Sequence, residues 1–216
     1  MWPDTEELAG MPGINPNEFF HRLSRHAASA AAFVADVGQH QMWAAQSLDL
    51  TAGQRFITSG GMGAMGFALP AAIGVAFATG RAVVAIAGDG GFQVNVQELQ
   101  TVARNRLPLK MIVVNNQCLG MVRQFQESFF AGRLQSTVLG APCFTALAEA
   151  YGIQALRVSD PGDVDAALAA CWADPTAPFL LEVMVATAAN AYPKMAYGKP
   201  LTEMEPLARS LEMEPT

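Results

Sequence analysis

Two apolar runs of strand length stop abruptly on small or polar residues, and their spacing limits what this chain can fold into. The first, Arg81 to Ala87, contains Val83-Val84-Ala85-Ile86-Ala87 and ends on Gly88-Asp89-Gly90-Gly91. The second, Lys110 to Val114, ends on Asn115-Asn116. Between them, Asn95 to Arg106 reads as a helix that Pro108 stops. A continuous apolar run fits a strand covered on both faces, the situation of a parallel sheet. One helix and one strand then return the chain to the same sheet edge. The pattern predicts an α/β domain: a doubly wound, mostly parallel sheet flanked by helices.

The flanking segments agree with that class. Asn15-Pro16 opens a helix through about Ser29, with Pro16 in the first turn where its missing N–H does no harm. Ala31 to Ala35 reads as a short buried strand ending at Asp36, followed by the polar stretch Gly38-Gln39-His40-Gln41 and the glycine-dense segment Ser59 to Gly66. Phe67 to Ala78 is small and apolar on all sides, which predicts a helix buried in the interior. Helices are expected near Phe144 to Tyr151 and Asp163 to Trp172, with a last strand over Phe179 to Val185. Three regions result: a linker or arm over 1–15, broken by Pro3, Pro12 and Gly13; a domain over 16–186; and a Pro-, Met- and Glu-rich tail over 187–216, expected to be a flexible closing segment.

Composition narrows the function classes. With 51% hydrophobic and 15% charged residues, the chain is no disordered polymer, and the apolar excess implies surface buried against another domain or subunit. A net charge of -6 without basic runs argues against a nucleic-acid partner. No apolar stretch reaches membrane-spanning length, and Asp4, Glu6 and Glu7 stand where a secretory signal needs a basic start. Cys118, Cys143 and Cys171 are far apart, and His21, His26 and His40 form no ligand cluster. They read as reduced thiols of a cytoplasmic protein, not a disulfide or zinc framework.

The chemistry lies at the strand ends, where open parallel sheets bind ligands. Glycines there let the backbone approach a ligand, and the next helix offers free N–H groups to a phosphate. Asp89 and Asn116 are hard oxygen ligands of the kind Mg2+ shares with a phosphate group. A Gly-Asp-Gly turn alone is also an ordinary strand-to-helix turn; what singles it out is Asn115-Asn116 twenty-four residues on.

That spacing resembles the signature of thiamine-diphosphate (ThDP) enzymes. Four segments, 36–46, 58–67, 88–99 (GDGGFQVNVQEL) and 115–126 (NNQCLGMVRQFQ), look like those of acetolactate (acetohydroxyacid) synthase large subunits. The resemblance covers about residues 14 to 195 and corresponds to that family's C-terminal, diphosphate-binding domain. It implies a ThDP-binding fold with ThDP and Mg2+ as cofactors. Asp89, the Asn116 side chain and the Cys118 backbone carbonyl would hold the metal. Gly90 and Gly91 would offer backbone N–H groups to the diphosphate, joined by Gln39 and His40. Met65 would prop the cofactor in its bent shape, and Gly63 and Met121 would line its pyrimidine pocket. Val37, Gly38, Gly88, Leu119 and Gly120 complete the implied contacts. Met65 and Met121 also read as core packing, and His40 as a loop histidine.

Three departures shape the functional expectation. The pyrimidine-binding domain and its catalytic glutamate have no counterpart here, and Glu98 reads as helix surface or interface. The family's central domain is missing too. Phe125 stands where anabolic acetolactate synthases carry a tryptophan that favours 2-ketobutyrate, and is assigned to the substrate pocket. The resemblance therefore implies a ThDP- and Mg-binding domain or subunit that acts on small 2-oxo acids such as pyruvate. It would need a pyrimidine-binding partner within a homo- or hetero-oligomer, and in the synthases the product feeds branched-chain amino-acid biosynthesis. Two alternatives stand beside it. One is a subunit of a two-chain decarboxylase of the sulfopyruvate or phosphonopyruvate kind, with Arg123 as the cation. The other is a non-catalytic ThDP-binding domain.

Overall fold

A computed structural model describes residues 4–140 and 142–192, and the backbone at 194–195 and 204–205. Its centre is a six-stranded sheet: β1 (Ala32–Ala35), β2 (Arg55–Thr58), β3 (Val83–Gly88), β4 (Leu109–Asn115), β5 (Gln154–Val158) and β6 (Phe179–Met184). The spatial order is β2-β1-β3-β4-β6-β5, and every pairing in this sheet is parallel. The chain leaves β1 for one edge, then returns to place β3 on its other side. That reversal opens a crevice at the carboxyl ends of β1 and β3, where open α/β sheets take their ligands.

Among the described residues, eight α-helices cover the two faces: α1 (Pro16–His26), α2 (Gln39–Ser47), α3 (Ala68–Thr79), α4 (Asp89–Val94), α5 (Leu99–Asn105), α6 (Gly120–Phe129), α7 (Phe144–Ala150) and α8 (Val164–Cys171). Strand side chains alternate between faces. Phe33, Val84, Ile86, Ile112 and Leu181 pack with α1, α2 and α8, whereas Val34, Val83, Ala85, Met111 and Leu180 pack with α3, α5 and α7. The four central strands are thus buried on both sides, as their continuous apolar runs require.

The structure corrects several expectations. α3 is not an interior helix. Ala68, Leu69, Ala72, Ile73 and Ala76 face the sheet, but Pro70, Gly74 and Phe77 are exposed, leaving an apolar outer face. The helix expected over 95–106 starts earlier and is broken. α4 begins at Asp89 and ends at Val94; the side chain of the next residue, Asn95, donates to the Gly66 carbonyl at 2.7 Å. The edge strands β2 and β5 and the helices α2 and α6 lie in segments that sequence patterning leaves unassigned.

Both ends of the described chain are packed. Leu8 and Ile14 are buried in the core, and the Asn15 side chain donates to Thr5 O and caps α1 by accepting from the Asn17 and Glu18 N–H groups. Asp4 accepts from the Ser47 hydroxyl and pairs with His21, which also meets Asp49 at 3.1 Å. In the segment expected to close the chain loosely, Ala189, Ala191 and Tyr192 are buried. A short antiparallel ribbon pairs Lys194–Met195 with Met204–Glu205, and the remainder of the tail lies outside the described residues. No helix among the described residues is long and apolar enough to cross a membrane.

Removing residues 186–192 is therefore expected to destabilise the domain. A chain ending at Val185 should be about 2–4 kcal/mol less stable than one ending at Tyr192, from the apolar surface uncovered. Urea unfolding midpoints of the two truncated chains measure the difference; equal midpoints contradict the packing.

Candidate functional site

Three helices begin where three central strands end. α2 starts one turn after β1, α4 starts directly after β3, and α6 follows the loop after β4. The first turn of a helix leaves backbone N–H groups without an intrahelical partner and carries the positive end of its dipole. Between these three helix starts lies a cavity of about 240 Å3. Every residue that the sequence assigned to the cofactor lines it: Val37, Gly38, Gln39 and His40 after β1; Gly63 and Met65 in the glycine loop; Gly88, Asp89, Gly90 and Gly91 at the β3–α4 turn; and Asn116, Cys118, Leu119, Gly120 and Met121 between β4 and α6. Trp43, Val114 and Val122 also contribute. A shallower depression of about 550 Å3 flanks the edge strand β5 but contains none of these turns.

Glycine is required where side chains crowd these turns. A Cβ on Gly120 would stand 1.9 Å from Gln39 Oε1, and one on Gly88 would stand 2.9 Å from His40 Nδ1. Gln39 lies in that space under three constraints. Its Oε1 accepts from Asn116 Nδ2 at 3.0 Å, while its Nε2 donates to Gln124 Oε1 at 3.0 Å and Asn190 Oδ1 at 3.4 Å.

Asp89 is the electrostatic centre. Its Oδ1 accepts the Gly90 N–H at 3.0 Å, while its Oδ2 is buried with no hydrogen-bond partner. Burial pushes its pKa up to about 6, against the pull of the Gly90 and Gln117 backbone amides and with added repulsion from Glu182. Opposite, Asn116 Oδ1 accepts the Cys118 N–H at 3.2 Å and keeps a second lone pair. Burial drives the Cys118 thiol up to about 11, so it stays protonated at neutral pH and is no thiolate ligand. No group of three His, Cys, Asp or Glu side chains among the described residues suits a metal. The donor set here is one carboxylate, one amide oxygen and the backbone, which suits a hard cation that shares its remaining sites with a phosphate.

His40 is buried with its Nε2 unpartnered, and burial lowers its pKa to about 4, partly offset by a hydrogen bond with the Asp36 backbone. The ring is neutral at pH 7. An anion beside Nε2 would favour its protonation and gain a donor. Met65 and Met121 are not core residues: they are 42% and 38% exposed and sit on the cavity wall. Phe125 does not join the lining. It lies on the exposed side of α6, its ring centre 4.5 Å from that of Phe129 and 6.0 Å from that of Phe130. Glu98 accepts a hydrogen bond from Thr101 and is also not part of the lining.

Three contributors escaped the sequence reading. Buried Asp36, at the end of β1, accepts the Val37 N–H at 2.7 Å and the Gly66 N–H at 3.0 Å on both oxygens, tying the glycine loop to the sheet. A carboxylate at a strand end before a glycine-rich segment was the available signal. Gln124 and Asn190, which brace Gln39, had none.

Residues 36–183 match the family described as thiamine pyrophosphate enzyme, C-terminal TPP binding domain. The chain is 40% identical over 202 residues to an acetolactate synthase large subunit of Cyanidium caldarium, covering 92% of this chain and 34% of the relative. It is 44% identical over 185 residues to the acetolactate synthase isozyme 2 large subunit of Escherichia coli K12, covering 85% and 34%. Among solved structures, a thiamine diphosphate-dependent 4-hydroxybenzoylformate decarboxylase of Rhodococcus jostii RHA1 matches with a TM-score of 0.73 and 27% identity, over 81% of this chain and 33% of that one. The chain thus spans about a third of the length of these relatives.

The buried Asp89 carboxylate should destabilise the metal-free chain. Because its pKa is raised in the fold, its contribution is most favourable at low pH and is lost as pH rises from the ordinary carboxylate value through about 6. Asp89→Asn is expected to raise metal-free stability at pH 8 by on the order of 2–3 kcal/mol, and by little at pH 4. His40 acts oppositely, losing its contribution as pH falls towards 4, but it is common to both proteins and cancels in the difference. Chemical denaturation of the two chains across that range is the check, and a difference independent of pH contradicts the assignment.

Proposed function

Because the chain belongs to the family of C-terminal TPP-binding domains of thiamine pyrophosphate enzymes, we propose that it is the diphosphate-binding domain or subunit of an acetolactate-synthase-like enzyme acting on 2-oxo acids, with pyruvate as donor. One observation carries the reading. Asp89, one of whose carboxylate oxygens is buried and unpartnered, lines a cavity at three strand ends together with Asn116. A Mg2+ ion held by Asp89, Asn116 and the Cys118 backbone carbonyl would satisfy that oxygen and tie the diphosphate to the protein.

Bound ThDP supplies the electron sink for decarboxylation and carbon–carbon bond formation. The chain's own residues bind and orient. The first turns of α2, α4 and α6 would offer N–H groups to the diphosphate. His40 would take a proton on its ring next to that anion. Gln39 is held for contact by Gln124 and Asn190. Met65 stands against the Gly90 turn and walls the cavity with apolar surface, which would keep water from a bound cofactor.

A pyrimidine-binding domain or subunit completes the site in this proposal. Met62, next to the lining residue Gly63, is 87% exposed, and Met121 and Val122 add exposed apolar surface, which supports a covering partner. Glu98 stands outside the cavity lining and no glutamate of this chain matches the family's catalytic one, so the glutamate that serves the pyrimidine is assigned to that partner. The assembly is then a homo- or hetero-oligomer. Domain limits of 16–186 extend here to the packed residues on either side. Free Cys118, Cys143 and Cys171 fit a cytoplasmic setting. The decarboxylase alternative needs a cation for an acidic substrate tail, and Arg123 is already engaged by Thr187 O and Glu127.

Calorimetric titration tests the cofactor site. ThDP should bind the wild-type chain only with Mg2+, and Asp89→Ala or Asn116→Ala should weaken binding by about 100-fold while leaving the circular dichroism spectrum intact. Unchanged affinity in both variants ends the reading. Incompleteness has its own test. The purified chain with saturating ThDP and Mg2+ is expected to release negligible CO2 from pyruvate until a pyrimidine-binding partner is added. Substantial release by the chain alone would place the glutamate within it.

A further inference from the structure

Glu182 is a carboxylate with no exposed surface in the middle of the sheet, between Val113 of β4 and Arg157 of β5. An unpaired charge there would be costly. Both of its oxygens are used: Oε2 accepts from Arg157 Nε at 2.8 Å, and Oε1 accepts from Asn115 Nδ2 at 2.7 Å. With its NH2 group so engaged, Asn115 turns its amide oxygen to the Gln117 backbone N–H and accepts it at 3.0 Å. Gln117 has φ 61°, a left-handed conformation that a side chain disfavours and that local bonds must hold. It stands between Asn116 and Cys118. On the far side, Gln117 O accepts from Leu139 N and Leu119 N donates to Thr137 O, so the loop is clamped from both directions.

We propose that Glu182, with Arg157 behind it, is a positioning residue for the metal-binding loop. It orients the Asn115 amide, Asn115 holds Gln117 in its left-handed turn, and that turn brings Asn116 and the Cys118 backbone carbonyl to the ion beside Asp89. The inference rests on the cofactor site proposed above. Within it the two adjacent asparagines do different work: Asn116 meets the ion, and Asn115 orients the turn. Arg157 lies on the exposed edge strand, so the chain of hydrogen bonds runs from the protein surface through the sheet to the site.

Three variants of the full chain test the order of the bonds. In Glu182→Gln the side chain has one acceptor for two donors. In Asn115→Asp two carboxylates face each other. When both changes are combined, the introduced amide can accept from Arg157 and donate to the introduced carboxylate, whose other oxygen still accepts the Gln117 N–H. Each single change is expected to speed hydrogen exchange of the Gln117 and Cys118 amides roughly tenfold in metal-free protein, leaving Ile86 and Ile112 unchanged. Each should also weaken Mg2+ binding at saturating ThDP by about 10–100-fold, and the double variant should recover both. Trp43, which lines the cavity, supplies a fluorescence signal for binding. Unchanged Gln117 exchange in the single variants, uniformly faster exchange along β4 and β6, or additive losses in the double variant overturns the proposal. A wild-type chain with the expected exchange pattern but no Mg2+-dependent binding overturns the cofactor reading instead, and leaves the hydrogen-bond chain standing.

Discussion

Asp89 stands at the end of a central strand with one carboxylate oxygen buried and unpaired, and the surrounding structure holds it there. Strand β3 carries it to the crevice that the reversed strand order opens. α4 starts on it, directly after Gly88, the last residue of the strand, so the residue is held between the sheet and a helix. Moving it into bulk water would need the central strand to end elsewhere. Leaving it buried costs free energy, and the proposed cation would remove that cost. On that reading the chain carries a local instability that binding relieves, a pattern common where stability is given up for function.

Close packing keeps the arrangement in place. Glycines at 88 and 120 admit His40 and Gln39 at distances that a methyl group would forbid. Asp36 fastens the glycine loop to β1 through the Gly66 N–H. The segment near residue 190 reaches back across the sheet to brace Gln39. These contacts link β1, β4, α6 and the C-terminal segment around one cavity. Its position is set by the topology of the sheet, and its precision by polar side chains far apart in sequence.

The sequence disclosed the parts that local pattern encodes. β1, β3, β4 and β6 are apolar because both faces are covered, so their runs were legible, and the ends of β1, β3 and β4 led to most of the residues that line the cavity. The edge strands were not legible: Gln154, Leu156 and Arg157 of β5 are exposed or half-exposed, which erases any apolar run. α2 was hidden because it buries Gln39 and His40, polar residues recruited by the site. α6 was hidden because its buried face includes Gln124 while Val122, Phe125 and Phe129 are exposed. α3 misled in the opposite sense, since its outer face is apolar without being covered in this chain. Asp36, Gln124, Asn190 and Glu182 act through partners about 30 to 150 residues away, and no local pattern records such contacts.

The central claim is that a divalent cation and the ThDP diphosphate meet at Asp89 and Asn116. Replacing Mg2+ with paramagnetic Mn2+ in the ThDP-loaded chain, and recording which backbone amide signals broaden, locates the ion without reference to turnover. The expected result is loss of the Asp89, Gly90, Gln117 and Cys118 signals at the lowest Mn2+, with broadening of the ThDP phosphorus resonances and no such loss in Asp89→Ala. Broadening centred on β5, or spread over the surface carboxylates and unaffected by Asp89→Ala, would contradict it.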